Sequence, residues 1–163
     1  MKKFVLVLFI AIAAGSMAWG ATIGITVNAA SKLDVSVDPV TWTIALDNSG
    51  TAIQNDNQGT LTVHSSKSSY TVTFTATNGG TLVNGANSIA YYIKVDTSSW
   101  STYVTTNNLS SYTQLQSAKT IVFSAKTPSS GKALPIGFQI PEYADYYADG
   151  AYTGTITVSI AQS

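Results

Sequence analysis

Apolar and polar residues alternate strictly over residues 70–77, YTVTFTAT: Tyr70, Val72, Phe74 and Ala76 fall on one side and four threonines on the other. A period of two sends successive side chains to opposite faces of a strand, and no helix gathers such a set on one face. β-branched threonine on the wet face and apolar residues on the dry one describe a half-buried antiparallel strand. A chain built from such segments must find a second apolar face to cover the first.

The pattern recurs along the chain. KLDVSVD (32–38) sets Leu33, Val35 and Val37 against Asp34, Ser36 and Asp38, and VTWTIAL (40–46) aligns Val40, Trp42, Ile44 and Leu46 before the turn signal DNSG. TLTVH (60–64), IAYYIKV (89–95), TIVFSA (120–125) and LPIGFQI (134–140) follow, and AYTGTITVSIAQS (151–163) closes the chain. Pro135 and Gly137 predict an edge position or a bulge for the 134–140 strand. TNGGTLVNG (77–85) reads as a hairpin turn, and residues 98–119 as irregular loop with a short strand or turn. Eight or nine strands separated by Gly/Asn/Ser turns predict an all-β fold, with two antiparallel sheets packed face to face. An immunoglobulin-like sandwich is the most economical form, and a closed barrel is the other. ATIGITVNAA (21–30) shows the same alternation before this domain begins, with Ile23, Ile25, Val27 and Ala29 on one side.

Residues 1–20 fit an export leader. Met1-Lys2-Lys3 supplies the positive start, FVLVLFIAIAA (4–14) the apolar run, and Ala18-Trp19-Gly20 the small-residue context for a cut before Ala21. The run falls short of the roughly 18–20 residues that span a bilayer, and the mature region offers no other membrane span. The expected organisation is a signal peptide over 1–20, an N-terminal strand over 21–31 and one sandwich domain over 32–163. The expected location is outside the cell or on its surface.

The chain contains neither cysteine nor arginine. Core and strand pairing must hold it together without disulfides. Without arginine forks or a basic patch, a nucleic-acid partner is not expected. Charged residues are only 10% of the chain, so close self-packing would desolvate little charge.

Catalytic constellations are scarce. The single histidine, His64, falls on the polar face of a strand, with no GxSxG elbow in the chain. Phosphate-cradling loops and cysteine-based zinc sites are missing. Glu142, Asp145 and Asp149 in PEYADYYADG match no calcium-loop spacing and read as solvated loop carboxylates. Asn108-Leu109-Ser110 fits a glycosylation sequon. The expectation is a protein that is not an enzyme and uses no cofactor or metal. Trp100, Tyr103, Tyr146 and Tyr147 are candidates for a glycan-contacting surface, since a flat apolar ring with a polar edge suits sugars.

Three stretches together resemble a family. The alternating arm leading into SVDPVTWTIAL, the pair LTVHSSKSSYTVTFTATNGG and the end ADGAYTGTITVSIAQS are similar to pilin subunits of the chaperone–usher type and to spore-coat-U-like domains. The resemblance implies an incomplete immunoglobulin-like fold whose groove receives the N-terminal donor strand of a neighbouring subunit. Ile23, Ile25, Val27 and Ala29 match the donor side, while Tyr152, Ile156, Val158 and Ile160 would border the groove. It further implies a head-to-tail homo-oligomeric filament, a fimbrium, reached through the periplasm with a chaperone and an outer-membrane usher. The alternation itself leaves a second reading open, in which residues 22–29 complete their own sandwich and the protein is a secreted module or adhesin recognising glycans.

Overall fold

The computed structural model describes residues 26–163. Residues 31–163 form one compact unit; the predicted leader, Ile23 and Ile25 lie outside the described residues. Ten strands are present among the described residues: β1 Leu33–Asp38, β2 Ile53–Ser65, β3 Tyr70–Ala76, β4 Thr81–Asn84, β5 Asn87–Ala90, β6 Tyr92–Val95, β7 Val104–Asn107, β8 Lys119–Phe123, β9 Lys132–Ile140 and β10 Ile156–Gln162. All their pairings are antiparallel.

One sheet runs β1-β2-β9-β6, the other β10-β3-β8-β7, and β4-β5 is a separate hairpin. The first order is the A-B-E-D pattern of an immunoglobulin-like sandwich, and β10 beside β3 stands where strand F meets strand C. No strand among residues 31–163 lies beyond β10 in the G position. Alternation places Leu61 and Val63 of β2, Val72 and Phe74 of β3, Ile121 and Phe123 of β8, and Leu134 and Ile136 of β9 inside, each at most 1% exposed. The fold is therefore the all-β antiparallel sandwich that the alternation predicts.

Several elements differ from the sequence expectation. Residues 40–46 form no strand, and although Trp42, Ile44 and Leu46 are half-buried in alternation, Val40 is 90% exposed. β1 leaves β2 at the pair Asp38↔Thr60, and the partner strand then bulges, its register slipping between Asn55 and Gly59. Pro39, with no N–H to donate, follows at once. The 89–95 stretch divides at Tyr91, because β5 pairs with β4 while β6 pairs with β9. The final strand begins only at Ile156, and Thr153 instead bridges Val83. The segment read as a hairpin turn carries β4 itself, after a short 3-10 turn at Thr77–Gly79.

β9 is central, bonded to both β2 and β6, and not at an edge. The bulge lies in its partner: β2 skips Gly137, pairing Asn55 with Phe138 and Gly59 with Ile136. A Cβ at Gly137 would meet the Tyr112 hydroxyl at 2.7 Å and Asp56 Cα at 3.3 Å, so a larger residue here would displace Tyr112 under the bulge.

Candidate functional site

The two flanks of the sandwich are built differently, and the site lies on the flank of β1 and β10. Among the described residues both strands are paired on one side only, β1 with β2 and β10 with β3. Their other edges border an apolar groove of about 930 Å³. One wall is Val35 and Val37 of β1, continued by Trp42, Ile44 and Leu46; the other is Tyr147, Tyr152, Ile156 and Val158; Phe74, Tyr91, Ile93, Ile136 and Phe138 form the floor.

The inward residues of both edge strands are only half-buried: Leu33, Val35 and Val37 on β1, and Ile156, Val158 and Ile160 on β10. On the central strands the equivalent positions are shut from solvent. Fully burying a Val, Leu or Ile side chain is worth about 1.5–3 kcal/mol, so much of that stabilisation is unclaimed along this flank. Segment 40–46 repeats the situation, with Trp42, Ile44 and Leu46 half-buried between exposed neighbours. Among the described residues no main-chain hydrogen bond ties it to another strand. The groove thus offers an apolar floor and unpaired main-chain edges, the two features that an added extended peptide uses.

Local chemistry holds the walls in place. Trp42 Nε1 donates to the Pro39 carbonyl at 3.0 Å, and its ring meets Phe138 edge-on at 6.1 Å. A Cβ at Gly59 would come within 2.9 Å of that indole, so this glycine gives Trp42 its seat. Tyr91 stacks on Phe138 at 5.7 Å, and burial pushes its phenol up to about 12. At the other wall Tyr147 lies 4.6 Å from Tyr143 and 6.3 Å from Tyr152, centroid to centroid. Asn48, in the DNSG turn at φ 53°, clamps Tyr147 by donating to its carbonyl at 3.0 Å and accepting from its N–H at 3.2 Å. Asparagine tolerates that left-handed backbone better than most residues.

Of the four predicted groove-edge residues, Tyr152, Ile156 and Val158 line the groove. Ile160 does not; it packs against the core further along β10. The opposite wall, from Trp42 to Leu46, escaped the sequence reading because an isolated alternating segment looks like any paired strand. Within residues 26–30, Val27 and Ala29 are exposed, Val27 at 83%, and belong to no regular element.

The four aromatic glycan candidates do not share a platform. Trp100 and Tyr103 pack together at 5.7 Å, and Trp100 leans on Phe123, which pairs with Tyr70 at the start of β3. Tyr146 and Tyr147 belong to the loop before Ile156, which pairs with Ala76 at the end of β3. The pairs therefore sit at opposite ends of the sandwich, with Tyr146 exposed and Tyr147 in the groove wall.

His64 stands across from Asp34 on the outer face of β2, its Nδ1 without a partner. Among the described residues no three His, Asp or Glu side chains are grouped to hold a metal, and no helix is long and apolar enough to cross a membrane. The carboxylate with the most partners is Asp56, which accepts from Tyr112 Oη at 2.6 Å and Lys94 Nζ at 2.9 Å. The Tyr112 hydroxyl first, and then Lys94, hold its carboxyl below the usual carboxylate range. No family model matches this chain, and no curated protein matches it.

Proposed function

We propose that this protein is a non-enzymatic structural subunit of an extracellular pilus-like filament, in which the groove of one copy receives residues 22–29 of the next. The observation that carries this reading is the groove itself, floored with apolar side chains and bordered on both sides by strand edges that no other described strand pairs. The arm has the matching pattern: Ile23, Ile25, Val27 and Ala29 recur at every second residue. An extended segment inserted there satisfies main-chain groups and apolar surface together. An arm that enters the next copy makes a head-to-tail contact, which propagates into a fibre. The chain reaches the surface as an exported protein, with a periplasmic chaperone shielding the groove and an outer-membrane usher ordering assembly.

Electron microscopy and size-exclusion chromatography of the mature protein test the reading. Fibres that vanish when residues 21–30 are deleted are the expected result. A mature protein that stays monomeric under every assembly condition would overturn it.

A further inference from the structure

The outer face of the β10 sheet is a continuous field of small uncharged side chains. Thr71, Thr73 and Thr75 of β3 point outward, and the register sets Thr157 beside Thr75, and Ser159 beside Thr73. Thr120 of β8 extends the Ser159–Thr73 row by one more strand. Two strand threonines on this face are hydrogen-bonded to residues just past the neighbouring strands: Thr71 Oγ1 and Ser163 Oγ are 2.6 Å apart, and Asn108 Nδ2 donates to Thr120 Oγ1 at 3.3 Å. The outer face of β1 differs, because it presents Asp34, Ser36 and Asp38, all exposed.

Residues 22–29 carry Thr22, Gly24, Thr26 and Asn28 on the side opposite the apolar set, without a charge. From this match we infer that the solvent-facing side of the arm is recognised as well as its apolar side. Thr157 and Ser159 are the residues that read it. The inference rests on the filament reading and adds two statements to it. The arm joins the β10 edge in preference to the β1 edge, and its threonines extend the hydroxyl rows by one strand. Cross-strand Thr–Thr and Thr–Ser pairs are individually modest, but they are lost whenever a foreign strand with a charged or bulky outer side takes the place. The groove therefore selects a second copy of this chain over other alternating peptides of equal apolarity.

A double-mutant cycle on filaments of the full mature chain tests this. One variant carries Thr22→Ala and Thr26→Ala, a second Thr157→Ala and Ser159→Ala, and a third carries all four changes. Filament dissociation is measured in denaturant, and monomer melting is measured alongside to remove losses internal to the domain. Two lost pairs predict a coupling of roughly two- to thirtyfold between the arm and β10 changes. Effects that simply multiply, or coupling that appears with Ser36→Ala on β1 instead, would overturn the inference while leaving the filament reading intact. A wild-type chain that forms no filament would remove both.

Discussion

The sandwich has two flanks, and residues 31–163 close only one of them. On the flank of β6 and β7 the connection from β7 to β8 folds back into the gap: Leu109 and Leu115 are at most 1% exposed, and Val95 N–H donates to the Leu109 carbonyl at 2.8 Å. Thr113 bridges Ile93, and Asn107 Nδ2 donates to the Val95 carbonyl at 3.1 Å. Between β1 and β10 nothing within residues 31–163 performs that service, and the inward side chains stay half-buried around the groove. The contrast separates two kinds of apolar surface. One is buried by the domain itself; the other stays half-buried around the groove.

The largest expected effect lies on the sealed flank. Leu109→Ala or Leu115→Ala should cost about 2–5 kcal/mol of domain stability, the range for emptying a closed apolar site, read as a fall in the monomer melting temperature. A negligible shift would break the comparison, because it would mean that this flank is not sealed by packing.

Changes to the arm come next and should act on assembly alone. Ile25→Asp or Val27→Asp would bury an unpaired carboxylate, at a cost on the order of a few kcal/mol per interface, so fibre yield collapses. Thr26→Asp, on the outer side, should be much milder. Monomer melting should not move, since the core belongs to residues 33–160; an Ile25→Asp monomer that melts far below wild type would show the arm completing its own domain.

On the open flank itself, Val158→Ala or Ile44→Ala should lower monomer stability far less than the leucine changes, within roughly 1 kcal/mol, because each side chain is only half-buried. Polymer stability should fall by more than monomer stability, as monomer and fibre melting measured side by side would show.

The smallest effect is acidic. Asp47, Asp56 and Asp96 are all held below the usual carboxylate range, Asp47 and Asp96 chiefly by hydrogen bonds from Ser49 and Ser98. A carboxylate with a depressed folded pKa binds fewer protons than in the unfolded chain, so its contribution is present above the unfolded value, near 3.9, and lost as pH falls through the folded one. Melting temperature should therefore be flat with respect to these groups from pH 5 to 8 and decline slightly only below about pH 4. Tyr112→Phe, which removes the first partner of Asp56, should shrink that decline.

Much of this architecture is written in the alternation. The inward sets of β1, β3 and β10 appear at the positions that the period of two marks, because one-sided burial and strand geometry share that period. Alternation reports burial, however, and not pairing. Residues 40–46 bury Trp42, Ile44 and Leu46 on one side with no strand beside them, so their pattern cannot be told from that of β3. The inward set of 89–95 is likewise continuous, although the chain changes partners at Tyr91. β2 shows the converse: IQNDNQG carries no alternation and is held as strand by its pairing to β9. Pro135 suggested an edge because a proline lacks a donor, yet it sits in central β9, where its carbonyl accepts from Asp96 N–H at 2.9 Å as β6 ends. The groove was legible on its β10 side through Tyr152, Ile156 and Val158. Its other wall depends on a bulge in β2, a long-range event that no local pattern records.

The absence of cysteine allows a direct test of what fills the open flank, since introduced thiols meet no background. Ile25→Cys is placed in one copy and Val158→Cys in a second, size-tagged copy. The two are mixed during assembly and then oxidised. A covalent heterodimer joining residue 25 of one chain to residue 158 of the other is the predicted result. Absence of that heterodimer, with efficient internal crosslinking in a single chain carrying both changes, would show the groove filled from within and contradict the account.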